Sequence, residues 1–331
     1  MLSRVAERLY WMARYLERAE NTARMVTAFN HLALDMPRHV RLSWLGLVAI
    51  TGNEAAFEAR YPEETEAEVI RFLLGDQENP GSILNCLTQA RENVRTTRDR
   101  VPTEVWETVN ELHLHARLNL DAGEGKRGRY RYLAQIRDRC QQITGMLAGT
   151  MSHDQGYEFI RAGRNLERAD MTSRLLDVGA VGLLPREDEV EGVEAGAMEG
   201  LLWMHVLRSL SAFQMYRQHV RRRINPADVL RYLVQDTQFP RAIAHALGEV
   251  EGSLARLPRN DLPLRMALQV KRHALEARAE TLLDARLLHR FIDDLQGEMG
   301  ELHGLITANW FHPDPYQTQV QTQAQGQTGR G

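Results

Sequence analysis

Residues 15–25 read YLERAENTARM and residues 165–175 read NLERADMTSRL, so that Leu, Glu, Arg, Ala, an acid, Thr and Arg recur 150 residues apart. An internal repeat constrains a fold more than any local propensity does, because equivalent segments are expected to bury equivalent faces. The correspondence continues along the chain. Trp44 matches Trp203 at an offset of 159, and RFLLGDQENPGSI (71–83) matches RYLVQDTQFPRAI (231–243) at an offset of 160. The extra residues of the second copy fit an enlarged acidic, Gly-containing loop at 186–200. The expectation is a duplicated helical bundle with approximate internal two-fold symmetry, a single domain of residues 1–312 made of repeats 1–150 and 151–312. Each copy is expected to need the other to cover its apolar face.

The chain reads as all-α. Apolar residues recur at helical spacing, as in Trp106, Val109, Leu112 and Ala116, and alternating strand-like runs are scarce. Asn225-Pro226-Ala227-Asp228 carries a complete helix start, with a capping residue, proline at the first helical position and an acid in the first turn. Arg221-Arg222-Arg223 is then expected near the end of the preceding helix, where cations suit the dipole. Residues 121–130 read as a Gly-rich connection, and residues 313–331, with glutamine at every second position from 317 to 327, as a disordered tail.

The formal charge is −3, which argues against holding nucleic acid by bulk electrostatics. No apolar run is long enough to span a membrane, and Arg4, Glu7 and Arg8 stand where a signal peptide would need an apolar segment. A cytoplasmic protein without membrane attachment is therefore expected. Cys86 and Cys140 show no metal or disulfide spacing and read as small buried hydrophobes. Of the 41 basic residues only Lys126 and Lys271 are lysine. Codon usage explains such a bias, and so does a demand for planar, forked donors that grip carboxylates in two places.

The repeated motif is where such donors meet acids. On a helical wheel centred on Glu17, the residues Arg14, Arg18, Glu20, Asn21 and Arg24 share a polar arc, opposite Met12, Leu16, Ala19 and Ala23. The second copy keeps the arc as Arg164, Glu167, Arg168, Asp170 and Arg174. Three readings stay open: Glu17 and Glu167 accept arginines from other helices and fix the packing, the arcs face a cleft that binds an anionic or peptidic ligand, or the face is simply solvated.

Several chemistries fail on spacing. No histidine follows a glutamate by three residues, which removes the di-iron carboxylate pattern. His113 and His115 point about 200° apart on a helix and cannot grip one ion, and His245 with Glu249 is as common a surface pair as a metal pair. Gly125-Lys126 lacks the rest of a phosphate loop, and no nucleophile elbow occurs. No metal and no cofactor is expected.

The LERAENTAR segment and the run DQENPGSILNCLTQARENVRTTRDRVPTEVWETVNEL (76–112) resemble the bacterial alpha-E family. The resemblance rests on Glu17-Arg18-Ala19-Glu20 with Arg24, then Asp76, Asn79-Pro80, Ser82-Ile83, Ala90-Arg91-Glu92-Asn93, Arg95, Arg98-Asp99, Trp106-Glu107 and Asn110, and covers residues 1 to about 312. It implies a helical domain that works beside, or fused to, a circularly permuted ATP-grasp ligase, often with a transglutaminase-like protein nearby. It thus implies a non-ATP-binding partner or scaffold in the synthesis or modification of a peptide or amide-linked product. The alternative is an enzyme in its own right, with Glu17 or Glu167 as general base and arginines clamping substrate carboxylates. Gly252-Ser253 stands where Glu92-Asn93 would repeat, so a ligand site that includes Arg91, Glu92 and Asn93 is expected to be asymmetric.

Overall fold

A computed structural model describes residues 1–36, 42–179 and 193–312. Among them every regular element is helical. The first half holds α1 (Ser3–Asp35), α2 (Leu45–Thr51), α3 (Glu54–Glu58), α4 (Glu66–Leu74), α5 (Ile83–Arg95), α6 (Thr103–Leu118), α7 (Leu120–Glu124) and α8 (Lys126–Thr150). The second half holds α9 (Gln155–Gly179), α10 (Val193–Ser209), α11 (Phe213–His219), α12 (Pro226–Gln235), α13 (Ile243–Leu254), α14 (Asp261–Glu276) and α15 (Ala285–Ile306), followed by a π-helical turn over Thr307–Phe311.

The starts of these helices follow their sequences. Thr65 accepts a hydrogen bond from the Glu68 N–H while Glu68 reaches back to the Thr65 N–H, a reciprocal cap on α4. Asn225 accepts from the Asp228 N–H, with Pro226 at the first position of α12.

Packing repeats in the same order in both halves. Helix α1 lies against α5 and α8, with α6 against both of those; α9 lies against α13 and α15, with α14 against both of those. The longest contact of all joins α1 to α9 at the centre. Two helices cross over, since α2 packs on α9 and α10 packs on α1, so each half is completed by the other. One continuous cluster of buried apolar side chains runs from Ala6 to Phe311 through both halves. Gly52 and Ser211, 159 residues apart, both adopt the left-handed conformation, with φ of 66° and 52°. That is an easy geometry for glycine and an unusual one for serine.

Of the three readings of the polar arc of α1, the solvated one fails: Arg14, Glu17, Glu20, Asn21 and Arg24 are all buried. Two sequence expectations change. Residues 121–130 are not a loop but α7 and the start of α8. Their glycines serve close packing, since a Cβ on Gly123 would lie 2.6 Å from the Tyr132 ring and one on Gly128 would lie 2.4 Å from the Ala122 carbonyl oxygen. The 186–200 segment is helical from Val193 onward. Arg221-Arg222-Arg223 lies near the end of α11, as expected, exposed and just past its C-cap Val220. Residues 186–192 and the Gln-rich 313–331 lie outside the described residues. Cys86 and Cys140 are buried and unpaired. Among the described residues no helix is long and apolar enough to cross a membrane.

Candidate functional site

The crossing of α1 and α9 depends on a missing side chain. An ideal Cβ on Gly163 would sit 2.5 Å from the Tyr10 carbonyl oxygen, so only glycine lets the two backbones approach this closely. The approach sets the two polar arcs face to face, and their ion pairs cross between copies. Arg14 Nε donates to Glu167 Oε2 at 2.7 Å, Arg18 Nε to Glu167 Oε1 at 2.6 Å, and Arg18 Nη2 to Glu167 Oε2 at 3.1 Å. In return, Arg168 Nε lies 3.0 Å from Glu17 Oε2, an ion pair whose N–H is not aligned as a hydrogen bond. Both carboxylates are essentially inaccessible to water. The Arg14 guanidinium also lies over the Trp11 ring, 5.1 Å from its centroid. The neighbouring Tyr10 hydroxyl hydrogen-bonds His303 Nδ1 at 3.0 Å.

The second partner of Glu17 breaks the symmetry. Arg164, the counterpart of Arg14, makes no ion pair among the described residues, and its Nε is buried without a partner. Its place is taken by Arg241, in the turn just before α13. Arg241 Nη1 donates to Glu17 Oε1 at 2.5 Å and to Asn21 Oδ1 at 2.8 Å, and Nη2 donates to Glu20 Oε1 at 2.9 Å. The Thr172 hydroxyl fixes the Arg241 backbone by donating to its carbonyl oxygen at 2.9 Å. Arg24 pairs with Glu20 and reaches Ser211. The residue matching Arg241 in the first copy is Gly81, beside an open cleft of about 220 Å³ bordered by Arg18, Asp170 and Arg174.

Sequence reasoning missed Arg241 because wheel and motif describe one helix at a time. The signal was present in the aligned pair 71–83 and 231–243, where glycine faces arginine.

Burial alone would raise both carboxyls, but the adjacent guanidiniums overcome it. Arg168 and Arg241 hold Glu17 at about 2, and Arg18 and Arg14 hold Glu167 at about 2. Burial outweighs the Ala28 backbone hydrogen bond at His205 and the Glu167 charge at His303, pushing both histidines down to about 4. The signs agree. Depressed carboxyls contribute stability that is present above about 4.5 and lost as pH falls towards 2. Histidines buried neutral contribute stability that is lost as pH falls from about 6.5 to about 4. Thermal melting between pH 7.5 and 3 is therefore expected to fall from about pH 6.5 and to steepen below about 4.5; a melting temperature level down to pH 4 would contradict this electrostatic picture.

Not every candidate joins the cluster. Asp170 pairs with Arg174 at 3.1 Å at its half-buried edge. Arg91, Glu92 and Asn93 lie elsewhere, on α5: Arg91 Nε donates to Asn110 Oδ1 at 2.7 Å, and Glu92 pairs with Arg95 in the open. His113 is buried and His115 half-buried, stacked on Tyr132. His245 bonds the Thr237 carbonyl while Glu249 pairs with Arg161, so those two do not act together. One group was invisible to local spacing: Asp177 on α9 meets His289 and Asp293 on α15, with His289 Nδ1 2.9 Å from Asp177 Oδ1 and Nε2 3.4 Å from Asp293 Oδ2. The trio is largely exposed, and each imidazole nitrogen faces a carboxylate, the pattern of a protonated histidine between two acids.

The chemistry open to the main cluster is limited. A general base needs a free lone pair and an affinity for protons near the working pH. Glu17 and Glu167 lack the proton affinity, because each is buried between two arginines that hold its charge.

Comparison with known proteins adds ancestry. The chain is 24% identical over 330 residues to uncharacterized proteins of Mycobacterium bovis and Mycobacterium tuberculosis. The match covers 92% of this chain but 35% of each relative, so the chain spans about a third of their length. No solved structure matches it. The model of one protein family, described as a predicted alpha-helical domain with a conserved ER motif, matches residues 1–311. Glu17-Arg18 and Glu167-Arg168 are such Glu-Arg pairs, and they form the centre of the crossed cluster. With that match over nearly the whole folded region, the chain belongs to the Alpha-E family.

Proposed function

We propose that this protein is a helical partner or scaffold, without ATP binding of its own, for an ATP-grasp ligase that makes amide or peptide bonds. The observation that carries the choice of scaffold over enzyme is the crossed pairing. The acids best placed to act as bases are consumed in joining the two halves, with Glu167 taking three hydrogen bonds from Arg14 and Arg18. A site of this kind orients helices, and buried, hydrogen-bonded charges are more often used to fix an arrangement than to react. The ligase as partner follows from family resemblance. The greater length of the mycobacterial relatives, about two thirds of which lies outside the match, leaves room for such a second activity on one chain. A transglutaminase-like protein is a further candidate partner.

The exposed face of α5 is the surface we assign to the contact. Glu92 is in the open, and Arg91 is half-buried over Trp106, 5.8 Å from its centroid, and bonded to Asn110, so neither is a core residue. The reversal Arg91→Glu with Glu92→Arg is expected to lower product formation by the ligase and this chain together at least tenfold, with melting within about 2 °C of wild type. The decisive comparison is ATP-dependent product from the ligase alone, from the pair, and from the pair with the reversed variant. If this chain alone turns over a peptide or amide and Glu17→Gln abolishes that turnover, the scaffold reading fails and the enzyme reading replaces it.

A further inference from the structure

The two halves of the central cluster differ in charge. Around Glu167 and Asp170 stand three arginines, Arg14, Arg18 and Arg174. Around Glu17 and Glu20 stand four: Arg24, Arg168 and Arg241 in contact, and Arg164 close by. The second group is thus two positive charges in excess among the described residues. Its donors are also under-used, since the Nε atoms of Arg24, Arg164 and Arg168 are all buried without a hydrogen-bond partner. Burial and then the Arg241 charge push the Arg24 guanidinium below its ordinary value, and burial with Arg168 does the same to Arg164. Arg164 lies away from the cleft that opens onto the other three arginines. Those three are each paired with an acid, so what they leave unmet is N–H donors. A buried donor without an acceptor is costly, and an oxyanion is the ligand that relieves it.

There is room for one. A cavity of about 270 Å³ opens from solvent onto Arg24, Arg168 and Arg241. Gln141 and Thr144 of α8 border it on one side, Leu210, Phe239 and Pro240 give it an apolar wall, and Glu20, already held by Arg24 and Arg241, and Ser211 complete its lining. Arg24 is 6% exposed, so its free Nε is a buried donor rather than a mobile surface group. The equivalent cleft beside Gly81 has neither the third arginine, because Gly81 stands at the position of Arg241, nor the apolar phenyl wall, because Asn79 stands at the position of Phe239.

We infer that the Arg24–Arg168–Arg241 cleft binds a carboxylate carried on a short aliphatic stem, as at a glutamate side chain or a peptide chain end. The guanidiniums supply forked donors to the carboxylate, and the Leu210–Phe239–Pro240 wall receives the stem. The apolar wall is what favours a carboxylate of this kind over inorganic phosphate, which has no stem to bury. This assignment does not depend on the ligase partnership, because it concerns the isolated chain.

The test is a titration of the full, ¹⁵N-labelled protein with glutarate, and separately with inorganic phosphate, at constant ionic strength, following arginine Nε–H resonances. Glutarate is expected to shift the Arg24 and Arg168 signals saturably while leaving Arg14 and Arg18, already held by Glu167, in place. Arg24→Gln is expected to weaken glutarate at least tenfold, whereas Arg174→Gln in the opposite cleft leaves it within twofold. Should Arg24→Gln fail to fold, Thr144→Asp, which tethers a carboxylate at the rim, is expected to suppress glutarate binding and raise the melting temperature. Unmoved Arg24 and Arg168 signals, equal effects of the Arg24 and Arg174 variants, or tighter binding of phosphate than of glutarate would each overturn the assignment.

Discussion

Glu167→Ala is expected to lose on the order of 3–5 kcal/mol of stability, because it leaves the Arg14 guanidinium buried beside Arg18 with no counter-charge. The loss arises less from the attraction removed than from the desolvated cations left behind. Glu17→Ala is expected to behave similarly, releasing Arg168 and Arg241. Asp170→Ala supplies the contrast. Its pair with Arg174 lies at a half-exposed edge, so its loss is expected to stay within about 1 kcal/mol. Urea denaturation of the three variants checks the order; an Asp170 variant as damaged as the Glu167 variant would show that burial is not what makes the central pairs matter.

The second large effect acts through the backbone. Gly163→Val is expected to cost about 3 kcal/mol or more, beyond the range of simple overpacking, since its Cβ would meet the Tyr10 carbonyl oxygen at 2.5 Å and that oxygen belongs to a helix that cannot give way locally. Relief requires α1 and α9 to separate, which lengthens every crossed ion pair at once. Gly145→Val, on α8 with nothing within 4 Å of its Cβ, is the matched control and is expected to be close to neutral. Melting of the two variants side by side checks the claim, and equal losses would contradict it.

These two effects separate what the sequence makes legible from what it does not. Elements governed by local chemistry are readable: the Asn225-Pro226 start of α12 depends on residues within one turn of each other. The importance of Glu17 and Glu167 is readable as well, because the repeat displays the same acid once in each copy. Their surroundings are not. Glu17 and Glu167 appear on one polar arc of an amphipathic helix, and periodicity cannot say whether such an arc meets water or another polar arc. Arg241 lies 224 residues from Glu17, and only the fold brings them together. The glycines at 123 and 128 mislead for a related reason, since glycine marks a close approach in packing as readily as a turn.

The exchange of Arg164 for Arg241 is the clearest case of a repeat that has diverged in one place. Once Arg241 occupies Glu17, Arg164 has no carboxylate to serve, and the excess charge on that side follows. In the other half, Gly81 leaves Glu167 to Arg14 and Arg18 alone. A repeat that preserves its acids while moving one arginine thus has one side with three arginines and one with four.

The account stands on reciprocal pairing between the copies, and a double-mutant cycle on Arg14 and Glu167 measures it most directly. Arg14→Ala, Glu167→Ala and the combined variant, unfolded in urea beside the wild type, yield the energy by which the two side chains depend on each other. A coupling on the order of 2 kcal/mol is predicted, with the double variant less damaged than the sum of the single ones. Additive losses, with a coupling near zero, would contradict the claim that Arg14 and Glu167 lock the two halves together.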